Sequence, residues 1–184
     1  MPDGSVQNYQ GAVDAGDMIQ LGINKWIKVY NDTAADLTDG DIVIINYSGK
    51  VATNTLAPNA RVPATVASPV NVWVGVMATW AEQIVAAVGS GGAATVVTPG
   101  VTPIGSYGWA QISGYCAKVA VPASTATNRL LKATNGTKVA TDVAIVNDDG
   151  VTGLTEACFG STKTTDTGAT CFTDAVLFGR QVTI

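Results

Sequence analysis

The chain contains no histidine. That removes the usual general base near neutral pH, the usual imidazole metal ligand, and the middle member of Ser-His-Asp and Cys-His sites. Catalysis would have to run on carboxylates, lysine, tyrosine or a lone thiol. Charge is scarce as well: 13% of residues are Asp, Glu, Lys or Arg, against about 25% in an average soluble domain. The ten Lys and Arg are scattered singly and the net charge is −4. No basic stripe exists to neutralise phosphates, so nucleic acid is not expected as a direct ligand. Apolar runs such as Ile42 to Ile45 fall far short of the roughly 20 residues that a helix needs to span a bilayer, so no membrane association is expected. The start, Met1-Pro-Asp-Gly-Ser5, lacks a cationic segment followed by an apolar one, so no secretory signal is expected either. Three cysteines, Cys116, Cys158 and Cys171, are too few and too oddly numbered for a disulfide framework. They have no CxxC spacing, which leaves zinc and redox motifs unsupported. Cys158 and Cys171 bracket a Thr- and Gly-rich loop and could pair in an oxidising medium. Two half-buried thiols in a reducing cytosol is the favoured alternative.

What replaces charge is Thr, Ala, Asn, Ser and Gly. The 184 residues, 47% of them apolar, suit one domain with an arm or small appended lobe and can bury a core without staples. A neutral surface of this kind is easily desolvated, which favours life among close neighbours in an oligomer or lattice.

Residues 1–24 are polar and Gly-rich without a sustained period, and read as an extended N-terminal arm. A β-rich domain is expected over 25–184. Strand signals begin at Lys25-Trp-Ile-Lys-Val-Tyr30, with rough apolar alternation. Asn31 to Asp41 is turn chemistry, delivering the chain into Ile42-Val-Ile-Ile45, a β-branched run that reads as a strand buried on both faces. Tyr47-Ser-Gly49 predicts a turn and Lys50-Val-Ala-Thr53 a returning strand. The segment 54–69, with Pro58, Pro63 and Pro69, reads as a loop or an edge. In Val70 to Met77 the valines at 70, 72, 74 and 76 share one face, and Asn71, Trp73, Gly75 and Met77 the other.

Residues 78–104 read as a possible insertion or loop. Trp80, Ile84, Ala87 and Val88 have helical spacing, so one short helix is allowed there. Tyr107 to Val121 is a long strand pattern, in which Gly114 marks a bulge or a close backbone approach. Arg129-Leu-Leu-Lys132 and Lys138-Val-Ala-Thr141 flank Thr134-Asn-Gly136, a hairpin turn. Further strands are expected at Ala144–Val146, Leu154–Phe159 and Ala175–Ile184. Many short strands with regular turns and at most one short helix make an all-β protein, a β-barrel or β-sandwich of short antiparallel strands. Asn46 to Asn54 also echoes Asn135 to Asp142, either a relic of duplicated strand units or the shared vocabulary of two hairpins.

The candidate chemistry is thin. Asp148-Asp149 suggests an acid/base pair, but adjacent acids ending in Gly150 are better explained as a turn. Asp36, Asp39 and Asp41 supply oxygen ligands at close spacing, yet the register and closing Glu of a calcium loop are missing. Gly89-Ser-Gly-Gly92 lacks the Lys-Ser/Thr of a phosphate loop. The sequons at Asn31, Asn46 and Asn135 matter only in a secretory pathway. No cofactor or metal, and no enzymatic activity, is expected. The tryptophans Trp26, Trp73, Trp80 and Trp109 read as core or subunit interface before a sugar-stacking platform.

Several segments resemble the decoration, or cement, proteins of tailed-phage heads. They are Lys28-Val-Tyr-Asn31, Gly40-Asp-Ile-Val43, Val74-Gly-Val76, Gly105-Ser-Tyr-Gly-Trp-Ala-Gln-Ile-Ser-Gly114 and Ala175-Val-Leu-Phe-Gly-Arg180. The resemblance spans most of 25–184, and the Tyr-Gly-Trp-x-Gln stretch is its most specific piece. The segments 78–104 and 158–171 have no counterpart in it. It implies a β-rich homo-oligomer, a trimer by preference, made in the host cytoplasm and bound to the major capsid protein on the outer face of the head. On that reading Tyr9, Trp26, Trp80, Tyr107 and Trp109 are the candidate oligomer or capsid interface. A receptor- or carbohydrate-binding β module is the alternative, and a carboxylate hydrolase ranks last.

Overall fold

The computed structural model describes residues 18–46, 59–61, 71–78, 100–133, 136–143, 157–165 and 171–183. Thirteen strands and no helix occur among them. The protein is all-β, and nearly all its pairings are antiparallel. The helix allowed near Trp80, the hairpin return at 50–53, the strand at 144–146 and most of the echoed segment 46–54 fall outside the described residues.

The first described element lies at the end of the stretch read as an arm, whose residues 1–17 fall outside the described residues. Strand β1 (Met18–Leu21) folds back antiparallel onto β2 (Asn24–Asn31), pairing Leu21 with Asn24. The two residues between them are Gly22, at φ +61°, and Ile23. Glycine at the first central position is what a type II′ hairpin turn requires. The period of β1 was invisible because the strand packs little on either side, with Met18, Gln20 and Leu21 all exposed.

Two apolar clusters organise the rest, and β4 (Ile42–Asn46) divides them. Ile42 and Ile44 enter the first cluster; Val43 and Ile45 enter the second. The expected double-sided burial is therefore real, with all four residues at most 6% exposed. β6 (Asn71–Met77) behaves likewise: Val74 and Val76 join the first cluster, while Met77 joins the second with Trp73 packed against it.

The second cluster lies among β2, β4, β6, β8 (Tyr107–Ala120) and the short β3 (Leu37–Thr38), which pairs with β7 (Val101–Thr102). The stretch read as a loop or edge contributes β5 (Asn59–Arg61), a three-residue strand held between β2 and β4. Three residues are too few to show a period, so its interior position had no signature. Pairings then run in a ring through β2, β5, β4, β6 and β8. The β2–β5 and β6–β8 links are two-residue bridges, not full ladders, so no closed barrel forms.

The first cluster lies where β4 and β6 face β8, β9 (Leu130–Ala133), β10 (Ala140–Val143), β11 (Cys158–Thr162) and β12 (Phe172–Phe178). This is a sandwich-like arrangement. The final strand expected over Ala175–Ile184 is two: β12 pairs with β8, and after Gly179 the chain turns so that β13 (Gln181–Thr183) pairs with β6. The hairpin predicted around Asn135-Gly136 is present as antiparallel β9–β10.

β8 serves both clusters. Its first half pairs with β2 and gives Ala110 and Ile112 to the second; its later half pairs with β12 and gives Cys116 and Val119 to the first. At the changeover the register slips, with Lys25 opposite Ser113 but Trp26 opposite Gln111, and Gly114 adopts φ +87°. The bulge falls at Ile112, two residues before Gly114, and the close backbone approach is at Gly114 itself.

All three cysteines are free thiols; Cys116 and Cys158 are buried and Cys171 is exposed. Burial pushes the Cys116 thiol up to about 11. Thiolate is the reactive form, so a disulfide-exchange reagent at pH 8 should modify Cys171 quickly. Cys116 and Cys158 should react only at the rate of unfolding. Three fast equivalents would contradict this packing.

Candidate functional site

The predicted interface aromatics separate in space. Tyr9 and Trp80 lie outside the described residues. Trp109 is covered within the chain at 3% exposure, and Trp26 nearly so at 9%. Tyr107 remains at the surface, its ring edge-on to Tyr30 at 5.3 Å, with the Lys28 ammonium 5.4 Å from its centroid. Burial explains the difference: Trp109 and Gln111 start the stretch of β8 that both neighbouring strands cover, whereas Tyr107 caps its end.

The acidic cluster does not converge. Asp41 accepts the Thr38 N–H at 2.8 Å and ion-pairs with Lys138 at 3.3 Å. Asp36 accepts the Ile104 N–H at 3.1 Å. No group of three His, Cys, Asp or Glu among the described residues is placed to hold a metal. These aspartates fasten turns to one another. Asn31 does the same from inside. Its Nδ2 donates to Ala35 O and Thr102 O, and its Oδ1 accepts from the Thr33 N–H and hydroxyl. At 1% exposure this amide is a structural pin and not a glycan acceptor. Asp148, Asp149 and Asn135 lie outside the described residues.

One cleft, of about 310 Å³, opens beside β8. Trp26, Met77, Gln111 and Cys116 are its buried lining residues, and Asp39, Tyr115 and Lys118 its more exposed ones. The Lys118 ammonium sits 4.4 Å from the Phe172 ring centroid. Tyr115 is 48% exposed, yet its ring is tethered, because the hydroxyl donates to Asp174 at 2.8 Å. That bond, with some burial, raises the Tyr115 pKa. Burial alone would raise Asp174, but hydrogen bonds from the Thr164 and Tyr115 hydroxyls outweigh it and hold the carboxyl below its ordinary value. A depressed native pKa stabilises the fold above the unfolded value near 4, and the gain is lost as pH falls through the lower native value. Asp174→Asn should therefore cost little below that window and show its full, small effect at neutral pH. Denaturant titrations at several pH values check it.

A second surface feature is the sheet edge at β1. Met18, Leu21 and Ile23 are 57%, 49% and 71% exposed, and none of residues 18–23 is charged. Sequence reading missed this site and the cleft alike. The signal available was the Leu-Gly-Ile-Asn turn, which marks a hairpin only once both flanks are read as strands.

No protein-family model matches the chain, and no curated protein matches it. Among solved structures, the head fibre gp8.5 N base of bacteriophage phi29 is similar in trace. The TM-score is 0.40 and the identity 8%, over 87% of this chain and 98% of that one. Such a likeness is too slight to carry function from one chain to the other.

Proposed function

We propose that this protein is a non-catalytic decoration protein of a tailed-phage head. On this reading it is an oligomer, a trimer by preference, bound to major capsid subunits on the outer face of the particle and bridging the seams between them. The observation that carries the reading is the edge of β1, which no strand other than β2 pairs with among the described residues, and where Met18, Leu21 and Ile23 are exposed. Solitary proteins blunt their sheet edges with lysine, proline or bulges. An uncharged apolar edge is suited to a neighbouring chain, which gains main-chain hydrogen bonds and covers the side chains. The low overall charge supports the same reading, since a neutral surface is cheap to desolvate. So does the Gly105–Gly114 segment that resembles decoration proteins.

Each contact of this kind is weak, but several on one lattice multiply through effective concentration. The test is the mass of the purified chain in solution together with its binding to heads assembled without it. Met18→Lys combined with Leu21→Lys should reduce association at least about tenfold without unfolding, because both residues are already exposed and surface changes cost little. A monomer that ignores such heads would end the proposal.

A further inference from the structure

Gln111 is 4% exposed and lines the cleft beside β8. Its Nε2 donates to Ser113 O at 3.0 Å and to Tyr115 O at 2.7 Å. Both partners are carbonyl oxygens, so the amide cannot be turned around without setting oxygen against oxygen. Its Oε1 is the end left over, and no described residue donates to it. A buried acceptor without a donor is costly, so a site that keeps one beside open volume suits a donor from beyond the described residues.

The remaining lining residues narrow the class of donor. Tyr115 offers an exposed ring fixed in place by Asp174, and Trp26 and Met77 add apolar lining. Asp39 and Lys118 bring one charge of each sign, so the cleft selects neither an anion nor a cation. An apolar wall, a buried acceptor and a balanced polar rim suit a ligand that has an apolar face, many hydroxyls and no net charge. We infer that this cleft binds a neutral saccharide. One hydroxyl donates to Gln111 Oε1, and the C–H face of the ring lies against Tyr115. About 310 Å³ is at the small end for ligand sites, which fits one or two sugar units. The tethered tyrosine lowers the cost of binding, because its ring is ordered before the ligand arrives.

The test uses the full chain in its native oligomeric state and a panel of neutral mono- and disaccharides, followed by amide and indole NMR signals. At least one sugar should shift the Gln111 side-chain amide and the Trp26 indole signals together, saturably. Tyr115→Ala should weaken that affinity about tenfold, while Ile104→Ala, at an exposed site away from the cleft, leaves it unchanged. If Tyr115→Ala fails to fold, Lys118→Ala at the exposed rim takes its place, with a weaker but measurable loss expected. The inference is overturned if no sugar moves these two signals, if the shifts lie elsewhere, if neither variant changes affinity, or if an uncharged peptide binds the cleft in place of sugars. Solution mass and head binding are read independently, so failure here leaves the decoration proposal standing.

Discussion

Replacing Gly114 by alanine is expected to remove about 3–6 kcal/mol of folding stability, a large share of the roughly 5–15 kcal/mol a domain has. Three costs add. At φ +87° a Cβ costs about 1–2 kcal/mol on conformation alone. The new methyl would also overlap the Asn24 side chain and come within 2.8 Å of its Cα. Asn24 would have to surrender the bond its Oδ1 accepts from the Tyr115 N–H, worth about 1 kcal/mol. Moving backbone to make room costs about 1–3 kcal/mol more. Gly22→Ala is the control: φ is +61°, but nothing lies within 4 Å of the added carbon. Only the conformational cost of about 1–2 kcal/mol remains there. Chemical denaturation of the two variants separates the terms, and equal losses would show that the close approach to Asn24 contributes nothing.

The close approach at Gly114 illustrates what was legible. A glycine in the middle of a long strand pattern has few explanations, so Gly114 could be read from its position alone. The valines of β6 and the isoleucines of β4 were equally readable, because a buried strand writes its faces into the sequence at period two. β1 and β5 were not. β1 lacks burial contrast, and β5 has only three residues, set between strands that lie far from it in sequence. Pairings of that kind are chosen by tertiary packing, and nothing local to Asn59-Ala-Arg61 records them.

The candidate site was less legible for a related reason. Trp26 and Trp109 stood out as aromatics, but whether a strand tryptophan is covered depends on which strand lies across it. Gln111 drew notice only as part of the Tyr-Gly-Trp-x-Gln stretch. Its meaning comes from Gly114 three residues later, since the carbonyls on either side of that positive-φ glycine both accept from the one amide. The aspartates were read chiefly as turn residues. Close spacing allowed a shared ion only as the lesser reading, and turns aim Asp36 and Asp41 at different backbone partners.

The two clusters need not be independent units, and β4 is the place to ask. Ile42→Ala opens a cavity in the first cluster and Ile45→Ala in the second, each at a site at most 2% exposed. Each loss should be about 2–5 kcal/mol. The double variant should fail to fold at room temperature. The milder pair Ile42→Val and Ile45→Val, at about 0.5–1.5 kcal/mol each, allows a finer measurement. Their side chains enter separate clusters, so the losses should add to within about 0.5 kcal/mol. Despite that additivity, unfolding should stay a single transition by tryptophan fluorescence and by far-ultraviolet circular dichroism. The reason is covalent: β4, β6 and β8 each supply residues to both clusters. One cluster cannot melt while its strands remain ordered for the other. Two separated transitions in Ile42→Ala, with Trp109 still buried after the first, would mean that the β2–β8 end of the protein stands alone.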